Sequence, residues 1–287
     1  MSLEPQPSGL LHMELGEGPV WNHRAGILTV VDIFGRKVHH LRRSDTGWGV
    51  EKTTQTGSDV GAAMILNSGE LLTCEQAGIF VHGDHGTTRI VPLPVSGESM
   101  RANDAKLGPD NRIFVGVMDY AATPGSGSLW AISRSGESTL LRDGLCIPNG
   151  MGWFGDEFWF VDGPTPEIRC YLMRDDGLVD TGRSVATQGV PDGFTVDRDG
   201  NIWVALWGGE GRVDCLTREG VTLQSLRVPA PHTTSVAFVG QHHTEVAVTT
   251  ARFGLSDQQL TEFPSSGDVF FHTPGATGSP SFDSFGS

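Results

Sequence analysis

Read for its apolar and polar positions, the chain alternates short apolar segments with turns rich in Gly, Asn and Asp, and it does so six times. "GPVWNHRAGILTVVDI" begins at Gly18, "GAAMILNSGELLTCE" at Gly61, "DAKLGPDNRIFVGVM" at Asp104, "GMGWFGDEFWFVDG" at Gly150, "GFTVDRDGNIWVALW" at Gly193 and "SVAFVGQHHTEVAVTTA" at Ser235. Each unit reads as an apolar strand, a tight turn and a second apolar strand, because its apolar runs are too short for helices and are bounded by turn residues. Further short strands lie between the units, among them "KVHHLRR", "RIVPLPV", "SLWAIS", "EIRCYLM", "VTLQSLRV" and "DVFFHTP". Together they suffice for about four strands per repeat. No segment shows a helical period.

The units start 42 to 46 residues apart. A period just above forty that holds several strands is the sequence mark of a β-propeller. The expected fold is therefore all-β: a six-bladed propeller of four-stranded antiparallel blades, forming one domain over residues 1–287. The last blade has only about three strands of its own. An N-terminal strand around Leu10 to Met13 is expected to complete it and close the ring.

Taken alone, Asn149 in "CIPNGMGWFGDEFWFVDG" reads as a turn residue, since Asn and Gly tolerate the backbone of a tight turn. The repeats change that reading. The residues just before the six unit starts are Glu17, Val60, Asn103, Asn149, Asp192 and Thr234. In a propeller, equivalent positions of the innermost strands meet around one end of the central channel. Glu17, Asn103, Asn149 and Asp192 would then point at one another. Carboxylates gathered without a basic partner repel, and a divalent cation bound through oxygen relieves that repulsion. Oxygen donors without thiolate or imidazole favour calcium, magnesium or manganese.

Four ordered stretches, "LGEGPVW", "RANDAKLGPDNRIFVGVM", "IPNGMGWFGDEFWFVD" and "VPDGFTVDRDGNIWVALW", resemble the successive signatures of the senescence marker protein/gluconolactonase/luciferin-regenerating family. The likeness runs from about Leu15 to the tail "SGDVFFHTPGATGSPSF". It implies a six-bladed propeller with one catalytic divalent cation in the channel: calcium first, with zinc, magnesium and manganese as alternatives. By the same resemblance Glu17, Asn149 and Asp192 are cation ligands, Asp192 is also the general base, and Arg101 and Asn103 contact substrate oxygens. Asn103 stands close to the cation as a fourth ligand or through a water. Where similar proteins often carry a longer loop with an acidic or aromatic substrate contact, this chain has the short "DYAATPGSGS", in which Asp119 and Tyr120 are the candidates.

The activity so implied is cation-dependent hydrolysis of a sugar lactone, a small-molecule ester. Related esterase, phosphotriesterase or dehydratase chemistry and a non-catalytic propeller that binds calcium or a partner are the alternatives. Clustered carboxylates in the channel favour the enzyme, because a scaffold has no use for them there. Composition narrows the partners. Twenty basic against 34 acidic residues give a net charge of −14, a field that repels phosphate backbones and argues against nucleic acid. No apolar run approaches the roughly 20 residues of a membrane span, and the N-terminal segment lacks the basic and apolar regions of a secretory leader. Cys74, Cys146, Cys170 and Cys215 show no paired spacing and read as reduced thiols of a cytoplasmic protein. Oligomeric state is open.

Other chemistries find little support. There is no G-x-S-x-G elbow. His232, His242 and His243 read as surface histidines, the last two on a hairpin turn. Trp21, Trp153, Trp159, Trp203 and Trp207 read as packing, with the alternative that one near the channel mouth lines a pocket. "DRDGN" at 197–201 lacks the spacing and final Glu of a calcium loop and reads as a hairpin.

Overall fold

The structure, a computed structural model, describes residues 4–95, 97–174, 177–282 and 285. Residues 1–3, which open the segment read as lacking a leader, lie outside them. The strands form six sheets of four strands each. Their innermost strands are Gly16–Asn22, Val60–Ile65, Met100–Leu107, Ile147–Phe154, Val190–Val196 and Thr233–Val239. We number the blades 1 to 6 in this order. Each inner strand packs against the next, and that of blade 6 returns to that of blade 1. The fold is a six-bladed antiparallel β-propeller, one blade for each sequence unit.

The alternation seen in the sequence becomes packing between neighbouring blades. Trp159, Ile168, Phe194 and Ile202 fill the space between blades 4 and 5, and Trp203, Phe238 and Phe270 that between blades 5 and 6. Burying such side chains supplies about 1.5–3 kcal/mol each, and it fixes the blade-to-blade angle on which the channel depends. Among the described residues no helix is long and apolar enough to cross a membrane. One short helix, Asp257–Glu262, departs from the all-strand expectation. Ser256 caps it and Gln259 closes the capping box, a local signature that needs no long apolar period.

The ring is closed from the N-terminus, but not by Leu10–Met13. The outermost strand of blade 6 is Gln6–Pro7, which pairs with Val269–His272. Gln6 and Pro7 are exposed, and an edge is where a strand tolerates proline. Leu11 and Met13 instead turn inward and are buried with Trp21, Leu28 and Val269. Their amides are held by the Asp268 carboxylate (3.2 Å) and the Gly267 carbonyl (2.8 Å). Two apolar side chains at this spacing belong between blades 6 and 1, where water is excluded.

Beyond His272 the tail runs across the far end of the channel. The Arg198 amide donates to the Thr277 carbonyl (2.9 Å), and the Gly278 amide donates to the His243 carbonyl (2.8 Å). The Phe282 ring meets Trp153 edge-on at 5.8 Å, and Phe285 is buried in the cluster of blades 2 and 3. Residues 279–282 and side chains from all six blades line a cavity of about 130 Å³ there.

Candidate active site in the central channel

In every blade the pairing of the innermost strand with its neighbour breaks register at the same level. The breaks fall between Glu17 and Val20, Val60 and Ala62, Ala102 and Ala105, Pro148 and Met151, Pro191 and Phe194, and Thr233 and Ser235. A bulge frees a residue from the ladder and re-aims its side chain. Asn103, Asn149 and Asp192 are among the residues so freed, and Glu17, still paired with Val31, borders the bulge of its own blade. Pro148-Asn149-Gly150 is therefore no turn: it lies inside a strand whose ladder opens at Asn149. Glycine at the bulge serves close approach of the neighbouring strand. A β-carbon on Gly61 would fall 2.2 Å from the Asn103 carbonyl oxygen, and one on Gly193 would fall 2.0 Å from Ser235 Oγ.

Glu17, Asn103, Asn149 and Asp192 are all more than nine-tenths buried. The Glu17 and Asp192 carboxylates face each other, with Asp104 as a third acidic neighbour. Burial, then the charges of Asp192 and Asp104, hold Glu17 well above the usual carboxylate range. Burial also raises Asp192, although hydrogen bonds from Asn149 and Glu17 and the Arg101 charge oppose the rise. The other two ring positions take no part: Val60 is apolar, and the Thr234 hydroxyl donates to the Gly16 carbonyl at 2.5 Å.

Three buried oxygens here, Asn149 Oδ1, Asp192 Oδ1 and Asp104 Oδ2, have no hydrogen-bond partner. Leaving each such group unsatisfied costs about 1–3 kcal/mol, so the arrangement is one that waits for a charge of opposite sign. Carboxylate and amide oxygens suit a hard divalent cation, which would also turn the repulsion between Glu17 and Asp192 into attraction. Among the described residues no three His, Cys, Asp or Glu side chains converge as a metal set, so a cation here depends on the Asn149 amide alongside Glu17 and Asp192. The residues fit such a cation. Asn103 differs from Asn149, because its Oδ1 accepts from Arg101 Nη1 (2.7 Å) and its Nδ2 donates to the Pro148 carbonyl (3.0 Å).

Above this group Arg101 is sandwiched, its guanidinium 5.7 Å from the rings of both Phe34 and Tyr120. Its Nε has no partner. Tyr120 is steadied by its hydroxyl, which donates to Asp59 (2.7 Å), and Arg36 holds the other Asp59 oxygen at 2.8 Å. Asp119 is engaged elsewhere: its carboxylate oxygens accept from the Ala121 amide and the Thr123 hydroxyl, both at 2.8 Å. Of that loop's two candidates, Tyr120 is the one that joins Arg101.

The histidines are less superficial than the sequence suggested. His232 is half-buried and stacked on Trp207 at 4.1 Å, with Nδ1 bonded to the Phe253 carbonyl. His243 is buried against His23; only His242 is exposed. The four cysteines are free.

Two charged residues of the channel escaped the sequence reading. Asp104 follows Asn103 in the same bulge, and Lys106 lies two residues further along the strand. The Lys106 ammonium donates to the Met151 carbonyl (2.9 Å) and the Phe194 carbonyl (2.6 Å). Its side chain lines the distal cavity. Burial pulls its pKa down, while Asp104 and Glu17 favour its charge. The signal was present in "NDAK", but an unbulged strand would have kept only every second residue on the channel side.

Residues 15–252 match the family described as the SMP-30/Gluconolactonase/LRE-like region. A pentonolactonase of Haloferax volcanii is 32% identical over 287 residues, covering 94% of both chains. A 6-deoxy-6-sulfogluconolactonase of Pseudomonas putida is 28% identical over 265 residues, covering 89% of this chain and 90% of its own. Among solved structures, a calcium-binding protein, regucalcin, from Agrobacterium tumefaciens superposes with a TM-score of 0.86 at 25% identity, over 97% of this chain and 96% of its own.

Proposed function

The chain belongs to the SMP-30/gluconolactonase/LRE-like family, and on that premise we propose that it is a lactonase opening a sugar lactone with the help of a divalent cation, calcium first, held by Glu17, Asn149 and Asp192. The observation that carries this reading is the pair of partnerless oxygens, Asn149 Oδ1 and Asp192 Oδ1, buried beside the Glu17 carboxylate. Relatives named as lactonases support the reaction class.

A divalent cation in this set supplies Lewis acidity toward a carbonyl oxygen and makes water more acidic. The rest falls to the chain. Asp192 accepts a proton from the water that attacks the lactone carbonyl. The ring C–O bond then breaks, and the ring oxygen, taking up the proton that Asp192 received, leaves as the hydroxyl of an open hydroxy acid. Arg101, flattened between Phe34 and Tyr120, offers its free Nε–H to a substrate oxygen. Asn103, held by Arg101 and by the Pro148 carbonyl, keeps that guanidinium aligned with the lactone. The buried channel excludes bulk water, which strengthens each of these polar contacts.

The test is metal analysis of the purified protein, followed by a lactone panel read with a pH indicator before and after chelation. Hydrolysis lost on chelation and restored by calcium or another divalent cation supports the proposal. Undiminished hydrolysis by metal-free protein overturns the role of the cation. A cation-loaded protein that opens no lactone overturns the activity and leaves a calcium-binding propeller.

A further inference from the structure

Among the described residues, Lys106 is the positive charge beneath the carboxylate group for which the reaction has no use. It belongs to blade 3, yet both of its described hydrogen bonds go to other blades: to the carbonyl of Met151 in blade 4 and to that of Phe194 in blade 5. Those carbonyls stand at matching places. Met151 lies two residues beyond Asn149, and Phe194 two residues beyond Asp192. Both are the first residues to regain pairing after their bulges. The ammonium also lies 5.6 Å from the centre of the Phe194 ring, so three contacts hold it between the same two strands.

We propose that Lys106 is the positioning residue for the cation site: it ties the inner strands of blades 4 and 5 together directly below their bulges and thereby sets the separation of Asn149 Oδ1 and Asp192 Oδ1. This rests on the reading that Glu17, Asn149 and Asp192 hold a cation. The physical reason lies in the bulges themselves. A residue released from the ladder has lost the hydrogen bonds that would fix its height and angle, so the spacing of two such residues on different sheets depends on what ties their strands; to the direct packing of those strands and the hydrogen bond from Asn149 to Asp192, Lys106 adds a bridge from a third blade. Calcium takes ligands at about 2.3–2.6 Å and magnesium at about 2.0–2.1 Å with stricter geometry. A few tenths of an ångström in that separation therefore decide between them. Asp104 and Glu17 supply the countercharge that allows an ammonium to remain buried here.

Two variants separate this role from a merely structural one. Lys106→Met removes the tie and strands the Asp104 charge; Lys106→Met with Asp104→Asn removes that charge as well, and Asp104→Asn alone is the reference against which the cation affinity of the double variant is read. Calcium, magnesium and manganese chlorides are titrated into metal-stripped protein by calorimetry, with thermal unfolding measured in parallel. The expected result is a loss of affinity for the preferred cation by about 10-fold to 100-fold in the double variant, the usual scale for a residue that orients ligands, together with a narrower ratio between calcium and magnesium affinities. A folded double variant with the affinity and the ratio of Asp104→Asn overturns the proposal, even if its unfolding temperature has dropped. Failure of the wild-type protein to bind any of the three cations overturns the underlying reading of the site, and this inference with it.

Discussion

Gly150 of blade 4 lies directly against the main chain of Asp192 in blade 5: a β-carbon on the glycine would stand 2.4 Å from the Asp192 carbonyl oxygen and 2.7 Å from Phe194 Cδ1. Backbone cannot yield as a flexible side chain can, so Gly150→Ala forces two ligand-bearing strands apart. Overpacking of this kind costs about 1–3 kcal/mol. The expected outcome is a lower unfolding temperature and a smaller rise on adding calcium. Gly49→Ala is the control, since its β-carbon meets no atom within 4 Å; equal unfolding temperatures for the two variants would refute the argument.

Asp192→Asn and Asp192→Ala separate ligand from base. The amide still offers an oxygen to a cation but takes no proton from water. We expect Asp192→Asn to retain part of the bound metal while hydrolysis falls by about 10²-fold or more, and Asp192→Ala to lose both. Full lactonase activity in metal-loaded Asp192→Asn would remove the base assignment.

Arg101→Ala tests substrate binding. A hydrogen bond to a charged group contributes about 1.5–3 kcal/mol, which corresponds to roughly 10-fold to 150-fold in kcat/KM. The loss is expected for hydroxylated or carboxylated lactones, with metal content almost unchanged. Metal loss in a well-folded Arg101→Ala protein would place the guanidinium among the determinants of the cation site instead.

The metal-free protein should lose stability as pH rises. Glu17, Asp192 and Asp104 are all raised, burial being the largest cause for each. The folded chain therefore keeps protons that the unfolded chain has already released. Where the folded state binds more protons, stability falls with increasing pH, here from the ordinary carboxylate range upward. Saturating calcium replaces those protons and should flatten the slope. Thermal unfolding between about pH 5 and pH 8, with and without calcium, decides the matter, and parallel slopes would count against the site.

The blades were legible because a period of packing leaves a period in the sequence: Trp159 and Trp203 recur at matching places since each must fill the same gap between sheets. The ring of Glu17, Asn103, Asn149 and Asp192 was legible for the same reason. Lys106 was not, because the bulge between Ala102 and Ala105 shifts the phase of the strand, and no local residue type announces a bulge. Asp119 was read by its charge, whereas the turn that occupies both its oxygens depends on where Thr123 lands. The closing strand was misplaced because apolarity pointed to Leu11 and Met13, while an outermost strand needs only free backbone and an exposed edge. Nothing in the pattern foretold that Phe285 would reach blades 2 and 3.

The pairing of Gln6 with Phe271 and of Pro7 with Phe270 has a consequence for how the protein assembles. A chain emerging from the ribosome carries its first strand long before that strand's partner exists, so blades 1 to 5 form with the circle still open. Closing so long a loop is not expensive, since each doubling of length adds only about 0.6 kcal/mol. Timing is the greater hazard. Once Val269–His272 has joined its blade, and until Gln6–Pro7 docks beside it, that strand presents a bare edge. Docking of Gln6–Pro7 on its own chain removes that edge, so the last pairing to form is also the one that leaves Val269–His272 without an open side.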